Sequence, residues 1–171
     1  PAMPYTAYAK ITDEDMQALY AYFLRGGVDA VAQANHDSDI PWPLNMRWPL
    51  ALWNLAFHED QTYQANPKQS EAWNRGAYLV QGPAHCGTCH TPRGLAFQEK
   101  ALDEKDRDFL AGAALGGWYA FNITADTHSG IGGWSDAELV QYLKSGRVAG
   151  KAQAAGPMAE AVQHSFQYLS D

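Results

Sequence analysis

The chain has 171 residues, 46% of them hydrophobic and 18% charged, which is enough apolar surface for a packed core and argues against wholesale disorder. Its 12 Lys and Arg stand against 19 Asp and Glu, a net charge of -7 with His neutral, and no basic stripe is present, so nucleic acid is set aside as a partner. No run approaches the ~18 apolar residues that a bilayer span needs, and Pro1-Ala2-Met3-Pro4 opens on no basic-then-apolar leader pattern.

Residues 13–24 read as the first helix. Thr12 is its N-cap, Asp13, Glu14 and Asp15 suit the positive end of the helix dipole, and Met16, Leu19, Tyr20 and Phe23 form an apolar face expected to pack. Gly26-Gly27 stops it. Residues 28–66 read as mostly irregular, punctuated by Pro41, Pro43 and Pro49, with a short helix over 50–57; carrying Trp42, Trp48 and Trp53, this stretch is a linker that packs on something. A second helix covers 71–80, capped by Ser70, with Trp73, Ala77 and Val80 on one face. Glycines recur between Gly94 and Gly133 around a few helical turns, and a third helix starts at the capping box Ser135-x-x-Glu138 and ends at Gly146. No run alternates cleanly enough for a strand, so the fold class is mainly α.

The two cysteines, Cys86 and Cys89, rule out a disulfide framework. With Gly87, Thr88 and His90 they spell C-x-x-C-H, the attachment sequence of c-type haem. On a helical turn, thiols at i and i+3 face the same way and can form thioethers with the two vinyl groups on one haem edge, and the next residue, His90, lies over the iron as proximal ligand. Two other readings compete. A thioredoxin-like redox pair wants a βαβ context that is missing, and a zinc site using His85 and His90 beside the thiols strains the adjacent Cys89 and His90.

For the sixth iron ligand the methionines are Met3, Met16, Met46 and Met158. Met16 belongs to the packing face of the first helix and Met46 fills space in the linker. Met158, in the irregular Gly156-Pro157-Met158 segment 68 residues after His90, is the favoured ligand, with a buried core methionine as the alternative. His164 is the rival; His36, His58, His85 and His128 read as surface groups. Trp134, Asn122, Tyr119 and Arg147 are candidates to line the pocket or meet the haem propionates. His/Met ligation fills both axial positions and leaves one-electron transfer as the chemistry.

Five stretches, MPYTAYAKITDEDMQALYAYF, SDIPWPLNMRWPLALWN, WNRGAYLVQGPAHCGTCHTPRG, NITADTHSGIGGWSDAELVQYLKSG and GPMAEAVQHSFQYLSD, resemble in sequence and order the multihaem cytochrome c subunit of bacterial membrane-bound gluconate, sorbitol and alcohol dehydrogenases. The resemblance implies a class I cytochrome c domain at 67–171, lacking its last helix. It is preceded by the C-terminal part of another haem domain (1–27) and a Trp/Pro-rich linker (28–66). It implies that Cys86, Cys89, His90 and Met158 serve the one haem c attached here, that Met3 is the axial ligand of another haem, and that Pro92 and neighbouring carbonyls hold the His90 Nδ1 proton. The implied function is electron transfer from a flavin- or quinone-cofactor dehydrogenase subunit, through further cytochrome c domains, to membrane ubiquinone. The implied place is the periplasm at the outer face of the inner membrane, with membrane attachment through parts outside this segment.

Two alternatives accompany that expectation. One is a peroxidase-like haem enzyme with an open or labile sixth position. The other is a spacer whose Trp42, Trp48 and Trp53 dock a partner or a membrane interface rather than pack between haem domains. The helix at 13–24 is further expected to cover the surface around Gly76 and Tyr78 through Tyr20 or Phe23.

Overall fold

A computed structural model describes residues 4–36 and 39–170, in two compact units, Pro1–Phe109 and Leu110–Asp171. In the first unit α1 (Tyr5–Tyr8), α2 (Asp13–Leu24), α3 (Trp48–Phe57), α4 (Glu71–Gln81) and the one-turn α5 (Gly87–His90) are joined by extended and turn segments. Its core gathers Ala7, Ile11, Tyr78, Ala101 and Phe109 with the buried polar residues Thr6, Lys10, Gln81 and Thr91.

Helix α2 starts as the sequence predicts, with the Asp15 amide donating to Thr12 Oγ1 at 3.2 Å. Its apolar face does not pack: Met16 is 47%, Tyr20 60% and Phe23 59% exposed. Three- and four-residue periodicity marks a face without saying what lies against it, and here Tyr78 joins α2 to α4 through the first turn alone. The Tyr78 hydroxyl donates to Asp15 Oδ2 at 2.6 Å and accepts from the Thr12 amide at 3.3 Å. The expected cover over Gly76 fails, because a Cβ built on Gly76 meets nothing within 4 Å.

The linker is more ordered than its prolines suggest. Pro49 sits in the first turn of α3, where a missing N–H is tolerated, so that helix begins two residues earlier than expected. Trp53 is half-buried, edge-on to Tyr5 at 6.2 Å, and its Nε1 donates to the Ala96 carbonyl at 2.8 Å; Trp42 and Trp48 are exposed. Further on, Asn74 Oδ1 of α4 accepts from Tyr63 Oη at 2.9 Å and from the Asn66 amide at 2.7 Å, pinning the extended segment to the helix.

The second unit holds two antiparallel hairpins, β1 (Ala113–Leu115) with β2 (Trp118–Ala120) and β3 (Arg147–Val148) with β4 (Ala152–Gln153). It also holds α6 (Asp136–Ser145), α7 (Gly156–His164) and a 3-10 turn, Phe166–Tyr168. Ala113, Val148 and Val162 are its buried apolar residues. The capping box at α6 is complete, and the helix ends at Gly146. The strands correct the expectation of none: two or three residues are too few to show alternation. The pair Gly116-Gly117, at φ +57° and +84°, was the readable sign, since a type I′ two-residue hairpin loop needs left-handed residues at both positions. The architecture is therefore helical with a few short strands. Among the described residues no helix is long and apolar enough to cross a membrane.

Candidate haem site

The site is built from the end of α4. After the Gly82 amide closes on the Tyr78 carbonyl at 2.9 Å the chain folds back, and the Cys86 amide donates to the Val80 carbonyl at 3.0 Å. His85 takes the left-handed φ of +40° at this corner, its ring edge-on to Tyr8 at 5.6 Å. One helical turn follows: the Cys89 and His90 amides reach the Cys86 carbonyl at 3.3 and 3.0 Å, and Thr91 reaches Gly87 at 2.9 Å.

That turn divides the motif between faces. Positions 86, 89 and 90 (i, i+3, i+4) share one face, on which Cys86, Cys89 and His90 are half-buried. Positions 87 and 91 share another, which is packed: Gly87 is buried and Thr91 is wholly enclosed. A Cβ on Gly87 would meet Phe109 at 3.0 Å, Thr91 Oγ1 at 3.3 Å and Glu99 Oε2 at 3.4 Å.

A small hairpin grips the turn at Thr88. Arg93 and Glu99 face each other as an antiparallel bridge, the Gly94 amide donates to Gln98 and the Lys100 amide to Pro92, each at 2.9 Å. Both side chains then converge on Thr88. Arg93 Nη2 donates to its carbonyl at 2.7 Å, while Thr88 Oγ1 donates to Glu99 Oε1 at 3.2 Å. Arg93 Nη2 lies 3.8 Å from the same Oε1, and Nη1 donates to the Phe97 carbonyl at 2.7 Å. The Glu99 side chain is only 6% exposed. Burial raises its carboxyl above the ordinary range against the pull of Arg93 and Thr88. Sequence reasoning missed this pair; the readable signal was an arginine and a glutamate flanking the Gly94 turn just past the motif.

Burial also pushes the Cys86 thiol up to about 11 and raises Cys89, where it outweighs Arg93. Both shifts run opposite to that of an activated redox thiol. Among the described residues no three His, Cys, Asp or Glu side chains group as metal ligands, which leaves the zinc reading without a ligand set. Two free thiols one turn apart with an adjacent imidazole on the same face fit a haem edge.

His90 belongs to the first unit and Met158 to the second. Met158 is half-buried in the first turn of α7 rather than in an irregular segment, because Pro157 occupies an opening position that helices accept. The Trp134 ring lies edge-on to Tyr142 at 5.6 Å with Lys151 Nζ 5.8 Å from its centre. Asn122 orders its own loop, donating to Ser129 Oγ at 2.9 Å and accepting from the Thr124 amide at 2.8 Å. Tyr119, on β2, meets Phe121 at 5.7 Å, and Arg147 is exposed on β3. Met46 and His164 are exposed, as are His36 and His128. His58 and His85 are half-buried rather than surface groups, and the His58 ring packs edge-on against Tyr5 at 5.3 Å. Met3 lies outside the described residues.

No protein-family model matches the chain. Across its whole length it is 51% identical to the gluconate 2-dehydrogenase cytochrome c subunit of Pantoea cypripedii. It is 47% identical to the alcohol dehydrogenase (quinone) cytochrome c subunit of Gluconacetobacter polyoxogenes and 47% to the fructose dehydrogenase cytochrome subunit of Gluconobacter japonicus. The chain is homologous to the cytochrome c subunits of bacterial dehydrogenases. It spans 39%, 37% and 34% of the length of these three relatives. Kinship with cytochromes c implies covalently bound haem c, and the thiol-bearing face of α5 has the donor set for it.

Proposed function

We propose that this segment relays electrons through one haem c held by thioethers from Cys86 and Cys89, with His90 and Met158 as the axial ligands. One observation carries the reading: two free thiols and an imidazole share the half-buried face of a single turn whose other face is packed, in a chain homologous to dehydrogenase cytochrome c subunits. The bound haem supplies one-electron transfer. The chain's own residues fix where it sits. The packed Gly87–Thr91 face prevents the turn from rolling, and the Pro92 carbonyl, with one lone pair used by Lys100, has another for the His90 Nδ1 proton.

The donor in this reading is a flavin- or quinone-cofactor dehydrogenase subunit, and electrons pass through further cytochrome c domains to ubiquinone, in the periplasm at the outer face of the inner membrane. The names of the relatives, each a cytochrome subunit of a dehydrogenase, support a dehydrogenase partner. Nothing in the described residues or these relatives favours the peroxidase-like alternative.

Visible spectra of the intact subunit, oxidised and reduced, test the proposal. A low-spin c-type spectrum with the weak far-red band of thioether-ligated ferric haem is expected. The double variant Cys86→Ala/Cys89→Ala loses one covalent haem, and Met158→Ala loses the far-red band of that haem and lowers its potential. An unchanged haem count in the cysteine variant overturns the attachment site; an unchanged band and potential in Met158→Ala overturn the sixth ligand.

A further inference from the structure

The Arg93–Glu99 pair lies outside the motif, yet it takes the hydroxyl and the carbonyl of Thr88, the one motif residue on neither the thiol face nor the packed face. Glu99 fits beneath the turn closely: Oε1 receives the Thr88 hydroxyl, and Oε2 lies 3.4 Å from where a Gly87 Cβ would stand. The pair is anchored from behind as well. Its two residues oppose each other in the hairpin, Arg93 Nη1 holds Phe97, and the Trp53 indole holds Ala96 near the hairpin tip. A cavity of about 10 Å³, room for roughly one water, is lined by Glu99 together with Lys10, Gln81 and Thr88.

We propose that Glu99 is a positioning residue for the haem: through Thr88 it fixes the attachment turn, and its charge biases the iron toward the ferric state. This rests on haem attachment at Cys86 and Cys89. A carboxylate enclosed at 6% exposure acts through a medium of low dielectric, where a nearby charge is felt more strongly than in water. Ferric haem carries one more positive charge than ferrous, so a fixed negative charge beneath the turn stabilises the oxidised form. Arg93 offsets part of that field while its guanidinium, bonded to two carbonyls, holds the carboxylate in place.

The test uses the intact cytochrome subunit. The haem missing from Cys86→Ala/Cys89→Ala identifies the component to follow; if that variant keeps every haem, the attachment reading has failed rather than this one. Glu99→Gln conserves shape and an oxygen acceptor for Thr88 but removes the charge. It should keep the wild-type haem count and low-spin spectrum, and the midpoint potential of the identified haem should rise in spectroelectrochemical titration. Loosening of the turn would admit water and lower the potential, so the direction separates charge from mere packing. Glu99→Ala should lower covalent haem occupancy at this site several-fold, with Glu99→Gln restoring it. An unchanged or lower potential in Glu99→Gln, or equal occupancy in Glu99→Ala and wild type, overturns the proposal.

Discussion

Replacing Arg93 by Met keeps most of the side-chain length but strips the buried Glu99 carboxylate of its cation and Thr88 of its carbonyl donor. Removing one partner of a buried ion pair costs about 3–5 kcal/mol because the remaining charge is left uncompensated. Arg93 is 21% exposed, so water screens part of the pair. The lower end, about 3 kcal/mol near neutral pH, is the expected loss. The pH dependence has a definite sign. Burial already raises the Glu99 carboxyl, and Arg93 is the largest cause opposing that rise, so the variant raises it further. Between the ordinary carboxylate range and that raised value the folded state binds a proton that the unfolded state does not, and stability therefore falls as pH increases through the window. Acidification should shrink the deficit, by at most about 1.4 kcal/mol per pH unit. Urea unfolding of the haem-loaded protein at about pH 7.5 and about pH 5, for wild type, Arg93→Met, Glu99→Gln and the double variant, measures this. A loss under about 1 kcal/mol at the higher pH, or a deficit that widens on acidification, would refute the reasoning.

Three further outcomes follow from the geometry. Ser135→Ala removes the acceptor for the Glu138 amide in the α6 capping box and should cost about 1 kcal/mol in thermal or urea unfolding. Gly156→Ala places a Cβ 2.5 Å from the Trp118 ring at a φ of +51°, so at least about 1–2 kcal/mol of stability should be lost. If Met158, in the first turn of α7, is the proposed sixth ligand, the far-red ferric band should weaken with it, and an intact band would separate the two. Tyr78→Phe deletes the donor to Asp15 Oδ2 and should cost about 1–2 kcal/mol, with faster amide hydrogen exchange confined to the first turn of α2.

What could be read in the sequence was what depends on near neighbours. Caps at Thr12, Ser70 and Ser135 are satisfied within three residues, and each begins its helix at the expected position. The thiol–thiol–imidazole spacing is likewise local, a property of one turn. The packing partners were not readable. The stripe Met16, Leu19, Tyr20 and Phe23 is a regular apolar face whose solvent exposure follows from Tyr78 meeting the helix only at its start. Trp42 and Trp48 each precede a proline and Trp53 does not, but that difference does not name the carbonyl and the two aromatic rings that Trp53 finds. Strands of two and three residues left only the Gly116-Gly117 pair as a trace.

The Arg93–Glu99 pair shows why support is harder to read than attachment. In the proposed attachment, Cys86, Cys89 and His90 answer to one haem edge, which would fix their identity and spacing together. The residue at 87 is restricted by space, since Phe109 stands 3.0 Å from its missing Cβ, and Gly is what remains. Thr88 is restricted by neither, and any element able to reach it could anchor the turn. In this fold a hairpin closed by the Gly94–Gln98 and Lys100–Pro92 hydrogen bonds supplies the anchor, which brings together two residues six apart whose meeting depends on that turn rather than on a helical or strand period. The same freedom makes the anchor separable from the ligands: Glu99 can be neutralised without touching a thiol or an imidazole, so its contribution can be measured on a haem that is still bound.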